Sequence, residues 1–218
     1  MRLNVGSAGG ITPGWTNVDS SLSVWFSSHL QLAKLFRSIG LIEDQQWKLV
    51  QSGRKHRIVW ANATRRLPFD DACAESIYSC HMLEHLDPVE VRQCLKEFMR
   101  LLRPGGILRL ALPDLRTHID NYIKTSDADA FINATLLGRV KPRTLKQHML
   151  RLIVGDRSSH CWMYDGQSLM RLLTDNGYVN ARCLPPGETM IDNPGELNLF
   201  ERVEESVYVE ALKSGSMK

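Results

Sequence analysis

LPFDDACAESIYSCHMLEHLDPVEVRQCLKEFMRLLRPGGILRLALPD, residues 67–114, decides the fold. It divides into a loop, a short apolar run at 76–80, an amphipathic stretch at 88–102, a Pro104-Gly105-Gly106 break, and a second apolar run at 107–112. The middle stretch reads as a helix. Asp87 stands where a cap is wanted, Pro88 occupies the first helical position, and Leu95, Phe98, Met99 and Leu102 recur on one face. Two apolar strands bracketing one helix form the repeat of a parallel α/β sheet, whose ligands sit beyond the carboxyl ends of the strands. Ser79-Cys80-His81 and Pro113-Asp114 fall at those ends. Chemistry is expected there.

Working outward, residues 3–5 form an apolar run closed by Gly6-Ser7-Ala8-Gly9-Gly10, and residues 16–18 a second run closed by Asp19. Helical spacing of Leu30, Ala33, Leu35, Phe36 and Ile39 predicts a helix between 27 and 42, stopped near Gly40. Residues 47–55 are ambiguous, and 58–61 read as a strand. Residues 115–154 read as interrupted helix, with breaks at Gly138 and Pro142, which suits a lid. Asp165 caps a further helix that stops at Gly177, and residues 181–184 and 206–212 read as closing strands. The Pro- and Gly-rich stretch between those strands reads as loop.

Bulk properties narrow the function. At 218 residues and 43% hydrophobic, the chain suits one domain, 1–218, with a lid at 117–157 inside it. Twenty-seven basic against 24 acidic residues leave +3, too little to argue for nucleic acid or a membrane surface. Arg139, Lys141, Arg143, Lys146 and Arg151 cluster in sequence, as a solvated helix face or as a rim for an anionic or polyhydroxylated substrate. The five cysteines lack metal-ligand spacing, which argues for a reducing compartment and against a disulfide framework or a structural zinc site. No stretch reaches the roughly 20 apolar residues of a membrane span, and the N-terminus does not read as a signal peptide. A cytoplasmic protein is expected, with no nucleic-acid or membrane partner; a homodimer is left open.

The glycine turn and Asp19 carry the cofactor argument. Glycines let a backbone approach a ligand closely, and an acid at the end of the next strand accepts hydrogen bonds from ribose hydroxyls. In dinucleotide enzymes that acid follows the glycines by about 20 residues, because a helix intervenes. Here residues 6–15 alone separate the strands, against roughly 10–12 for a minimal crossover. This disfavours a nicotinamide or flavin cofactor, whose pyrophosphate rests on that helix. A cofactor with a ribose but no pyrophosphate suffers less.

LNVGSAGG…GWTNVD, LPFDDACAESIYSCHMLEHL, LRPGGILRLALPDL, HCWMYDGQSLMRLLTDNGY and EESVYVEAL together resemble the class I S-adenosylmethionine-dependent methyltransferases. Within them the chain is similar to the small methyltransferase-domain (type 11-like) proteins often associated with sugar or polysaccharide biosynthesis. Residues 20–57 and 117–157 carry least of the likeness. The resemblance implies a Rossmann-like α/β sheet of seven strands, parallel except for the strand at 206–212, with a shortened first crossover and a helical lid insertion. It implies S-adenosyl-L-methionine as cofactor, with its methionine moiety against Gly6, Ser7, Ala8 and Gly9, its ribose on Asp19, its adenine near Asn62 and Ala63, and its sulfonium beside Ser79 and Cys80. Asn62 departs from the family's frequent Asp, and Ser7 stands where Cys is common.

The implied reaction is methyl transfer to a hydroxyl of a sugar or saccharide. The rivals are O- or N-methylation of another small metabolite, a catalytically silent binding protein of this fold, and an NAD-linked oxidoreductase. A hydroxyl acceptor usually needs a base. His81 is the first candidate, because imidazole titrates near neutrality; the alternative is a histidine that shapes the turn. Asp114 and His160 are further catalytic candidates, Asp114 alternatively a helix cap. His85, Trp162 and Tyr164 are candidate acceptor contacts, or core in the case of the aromatics. Glu84 reads as a charge at a helix start. His81, Glu84, His85 and Asp114 are compatible with Mg²⁺, but no metal is expected.

Overall fold

The computed structural model describes residues 1–7, 10–138, 144 and 159–215. Seven strands, β1 (Arg2–Val5), β2 (Thr16–Asp19), β3 (Val59–Trp60), β4 (Ala74–Cys80), β5 (Leu102–Pro113), β6 (Tyr178–Leu184) and β7 (Ser206–Lys213), form one sheet in the order β3-β2-β1-β4-β5-β7-β6. The pairs β1–β2, β1–β4, β2–β3 and β4–β5 are parallel, while β7 runs antiparallel to both β5 and β6. This is the expected Rossmann-like sheet with its one reversed strand. The strand order reverses between β1 and β4, so the crevice for a ligand opens above Val5 and Cys80.

The described helices are α1 (Leu22–Ser28), α2 (Leu30–Ser38), α3 (Asp44–His56), α4 (Pro88–Leu101), α5 (Leu115–Thr125), α6 (Ala128–Thr135) and α7 (Gly166–Asp175), with a 3₁₀ turn at Leu83–His85. Helix α4 behaves as its sequence predicts. Asp87 accepts from the Val89 and Glu90 N–H groups, Glu90 returns the bond to close a capping box, and Val91, Cys94, Leu95, Phe98 and Leu101 are buried. Those residues and Leu169 and Leu173 of α7 pack on Leu3, Ile77, Leu108, Leu110 and Val209, which point to one face of the sheet. None of the described helices is long and apolar enough to cross a membrane.

The structure departs from the expected elements in three places. The helix predicted between 27 and 42 is α2, and before it stands an unpredicted helix, α1, parted from it at His29, whose backbone leaves the helical region (φ −124°, ψ 54°). The ambiguous stretch 47–55 lies inside α3, capped by a Glu43–Gln46 box. Pro104-Gly105-Gly106 is a bulge within a strand that already starts at Leu102: the register passes from Ala74↔Leu102 to Ser76↔Ile107. Of the lid expected at 117–157, α5 and α6 supply the described part. Its remainder, and the basic residues Arg139, Lys141, Arg143, Lys146 and Arg151, lie outside the described residues.

The short β1–β2 crossover sets the other face of the sheet. With no helix there, Asn4 and Asn17, register partners on β1 and β2, hold the loop by side-chain bonds. Asn4 Nδ2 donates to the Gly10 carbonyl (2.7 Å), Thr12 Oγ1 and Asn17 Oδ1 (both 3.0 Å), and Asn17 Oδ1 also accepts from the Thr12 N–H (3.0 Å). The area a crossover helix would cover is filled from the β6–β7 connection. Ile191 and Leu197 of that connection pack with Trp15, Tyr78, Ala111 and Tyr208, and the Trp15 indole N–H reaches the Pro194 carbonyl (3.1 Å).

A buried ion pair clamps the same connection. Arg109 of β5 and Glu210 of β7, register partners with no exposed side-chain area, meet at 2.5 Å. Arg109 donates on to the Glu188 carbonyl (2.8 Å), while Glu210 accepts from Thr189 Oγ1 and the Met190 N–H (both 2.6 Å). The guanidinium also lies over the Tyr208 ring, 5.2 Å from its centroid. A segment read as loop is thus bolted to the sheet beside the crevice.

Candidate active site

Above the carboxyl ends of β1 and β4 lies a cavity of about 420 Å³. Gly6, Ser7 and the 10–12 loop form one wall, Tyr78, Cys80 and His81 the floor, and Glu196, Asn198, Glu201 and Arg202 of the β6–β7 connection the far wall. Glycine is required at position 6. Its φ is +81°, and a Cβ there would stand 2.8 Å from three atoms of the Met82 side chain. The Gly6 and Ser7 N–H groups both bond the Val18 carbonyl (2.9 and 3.1 Å), and the Gly10 N–H bonds the Ser7 carbonyl (2.6 Å). Among the described residues, then, the turn offers a ligand space and close backbone approach, with its N–H groups already engaged. Ala8 and Gly9, also expected in the cradle, lie outside the described residues.

The residues expected to hold the far end of a nucleoside lie beside the cavity and do not line it. Asp19 ends β2 as a buried carboxylate that accepts from the Ser21 N–H (2.6 Å). Asn62 is exposed, and its amide oxygen closes an Asx turn with the Thr64 N–H (2.9 Å) and hydroxyl (3.0 Å), while Ala63 is buried beneath it. Ser79 is fully buried under the floor, with its hydroxyl 3.9 Å from Met82 Sδ.

His81 is the one candidate base that lines the cavity. Its backbone takes the left-handed conformation (φ +46°), and its N–H bonds the Ala111 carbonyl across the sheet (2.9 Å). Nε2 lies 2.8 Å from Ser206 Oγ, and Nδ1 lies 3.3 Å from an Arg202 guanidinium nitrogen and 3.4 Å from Glu84 Oε1. The nearer contact is with arginine, which only donates, and it assigns the lone pair to Nδ1 and the proton to Nε2, facing Ser206; the Glu84 carboxylate, an acceptor, favours the charged ring in which Nδ1 is protonated as well.

The other candidates separate from it. Asp114 caps α5, accepting from the Arg116 N–H (3.0 Å) and Thr117 Oγ1 (3.3 Å). His160 and His85 stand behind His81, around Glu84, and are absent from the cavity lining. Tyr164 is buried in the core, and Trp162, half exposed, lines with it a separate shallow depression beside α4 and α7. Glu84, read as a charge at a helix start, stands in the first turn of the 3₁₀ helix and is 1% exposed. Sequence reasoning missed the far wall entirely, since nothing in a Pro- and Gly-rich connection marks Glu196, Asn198, Glu201 and Arg202 as facing strands that precede them by over a hundred residues.

Burial pushes the Cys80 thiol up to about 12, against a smaller downward pull from its hydrogen bond with Tyr78. At pH 8 such a group is roughly one ten-thousandth thiolate. Cys80 is therefore neutral in the cavity floor and is no nucleophile. Brief iodoacetamide treatment at pH 8, read by peptide mass spectrometry, should label the exposed Cys161 well before Cys80. Equal labelling rates would contradict this reading of the floor.

Residues 22–110 match the family model described as methyltransferase domain. The matched span begins after the Gly6 turn and Asp19 and ends within β5. No curated protein matches the chain. Among solved structures, a S-adenosylmethionine-dependent methyltransferase of Methanosarcina mazei superposes with a TM-score of 0.52 at 19% identity, over 99% of this chain and 92% of that one. Another such methyltransferase, from Thermotoga maritima, gives 0.51 at 13% identity, over 98% and 82%. Identities this low speak for the fold. Residues 22–110 are thus similar to a methyltransferase domain, and the chain as a whole has the fold seen in these S-adenosylmethionine-dependent methyltransferases.

Proposed function

We propose that this protein transfers the methyl group of S-adenosylmethionine to a hydroxyl of a sugar or saccharide. The observation that carries the reading is the composition of the cavity at the β1/β4 crevice. A glycine turn that admits no Cβ forms one wall, and two carboxylates, an amide and a guanidinium form the other. The first wall suits the aliphatic tail of the cofactor, with the buried Asp19 placed beyond it for the ribose. The second suits an acceptor rich in hydroxyls, which needs both donors and acceptors around it.

When bound, the cofactor supplies a methyl group already activated by positive sulfur. The chain's own work is to align the acceptor oxygen within about 3–3.5 Å of that carbon and to keep water out. His81 receives the acceptor proton at Nδ1, since a hydroxyl seated where the Arg202 guanidinium now stands would donate to it. Ser206 holds the ring in this tautomer through Nε2–H.

Calorimetry with S-adenosylmethionine, its demethylated product and NAD tests the cofactor. Both sulfur ligands should bind and NAD should not; failure of both sulfur ligands sinks the proposal. A screen of free and oligomeric sugars with labelled cofactor tests the acceptor. Label carried only by amines or thiols would overturn the hydroxyl assignment.

A further inference from the structure

Behind His81, three side chains converge in an arrangement that the cavity does not use. Glu84 Oε1 lies 3.9 Å from His85 Nε2 and 4.0 Å from His160 Nε2, and the candidate ligand atoms of the three residues all fall within 4.8 Å of one another. Glu84 is 1% exposed, and neither of its carboxylate oxygens accepts a hydrogen bond among the described residues. A carboxylate so buried needs a compensating partner.

The tautomers sharpen the need. His85 Nδ1 faces the Ser159 carbonyl (3.2 Å) and His160 Nδ1 faces Met163 Sδ (3.3 Å), groups that only accept. Each Nδ1 therefore carries the proton, and each Nε2 presents a lone pair towards the same carboxylate oxygen. A carboxylate and two imidazole lone pairs aimed at one point repel one another unless a cation lies between them.

We propose that Glu84, His85 and His160 bind one divalent transition-metal ion of the zinc or cobalt type. Two imidazoles and one carboxylate form a borderline donor set that suits these ions, whereas Mg²⁺ prefers oxygen ligands throughout. Metal–ligand bonds of about 2.0–2.2 Å in tetrahedral array would draw the Glu84–His85 and Glu84–His160 contacts in by roughly half an ångström. The Ser159 carbonyl on His85 is the outer partner that orients a ligating histidine. The frame is set in advance: the Glu84 carbonyl accepts from the Cys161 and Trp162 N–H groups (2.7 and 3.1 Å), tying the chain returning at 159–162 to the 3₁₀ turn. The ion would join the segment after the lid to the segment after β4. Its ligands do not line the cavity, but Glu84 Oε1 also lies 3.4 Å from His81 Nδ1, so the ion would sit directly behind the proposed base.

The test uses the full chain stripped with chelator and titrated with Co²⁺ or Zn²⁺. The wild type should take up one equivalent, with a Co²⁺ visible spectrum typical of nitrogen and oxygen ligands, and Zn²⁺ should raise its melting temperature. Glu84→Gln and His160→Ala should each weaken binding at least about tenfold. His85→Ala, at the partly exposed ligand, provides a variant whose folding is safe, with circular dichroism as the check on all three. Failure of the wild type to take up metal, or uptake unchanged in folded variants, would overturn the site and leave a proton-shared Glu–His cluster. S-adenosylmethionine binding measured on the same samples reports separately on the proposed reaction.

Discussion

Glu210→Ala is expected to cost about 3–5 kcal/mol of folding stability, measured by urea denaturation. Arg109 would keep its full charge with no exposed side-chain area and no carboxylate beside it. The Thr189 hydroxyl and Met190 N–H would lose their acceptor as well. Set against the 5–15 kcal/mol typical of a whole domain, that is a large fraction. The exposed Arg116–Asp120 pair (3.1 Å) is the internal control, since its removal should cost under about 1 kcal/mol. The effect should also reach the cavity, because Arg109 and Glu210 hold residues 188–190, which lead into Glu196, Glu201 and Arg202. In Glu210→Gln, which keeps the oxygen acceptor and loses the charge, KM for the acceptor should rise more than Kd for the cofactor. A stability loss below 1 kcal/mol in the alanine variant would show that the β6–β7 connection is held by its apolar contacts alone.

That clamp marks where the sequence stopped being legible. Local signals were enough for the β4–α4–β5 unit, because cap, proline and apolar spacing all lie within a few residues of what they determine. They were also enough for the shortened crossover, which followed from counting residues 6–15. The Asn4–Asn17 pair that makes the crossover work was invisible, since two asparagines in strands reveal their pairing only when β1 and β2 are in register. Arg109 and Glu210 are 101 positions apart and look, in sequence, like ordinary solvent-facing strand residues. The burial of Glu84 was invisible for the same reason: it depends on His160 and the 159–162 segment arriving from beyond the lid. The strand that absorbs Pro104-Gly105-Gly106 shows tertiary pairing overriding local preference. Of the candidate site, Gly6, Ser7, Cys80 and His81 share the cavity, each adjacent in sequence to a strand end. The residues taken from helices and loops, Asp114, His85, His160, Trp162 and Tyr164, do not line it.

His81→Asn is expected to lower kcat by about 10²–10⁴-fold, the usual share of a general base, while changing the cofactor Kd by less than about threefold. Asparagine is the variant of choice, because His81 sits at φ +46°, where Asn is tolerated far better than most residues. It keeps a polar side chain near Ser206 and removes the basic nitrogen at Nδ1. The size of the effect follows from the shortage of substitutes on the floor. Burial holds Cys80 and Tyr78 strongly towards their neutral forms, and neither has a basic site to accept a proton. Asp114 is spent on the α5 N-terminus. Glu196 and Glu201 are the remaining carboxylates at the cavity, on the wall opposite the glycine turn. A turnover left intact in folded His81→Asn would move proton acceptance to one of them, and Glu196→Gln and Glu201→Gln would identify which. Loss of cofactor affinity in parallel with turnover would instead make His81 a support of the turn. The split between kcat and cofactor Kd therefore separates a group that touches the reacting hydroxyl from one that only shapes the end of β4.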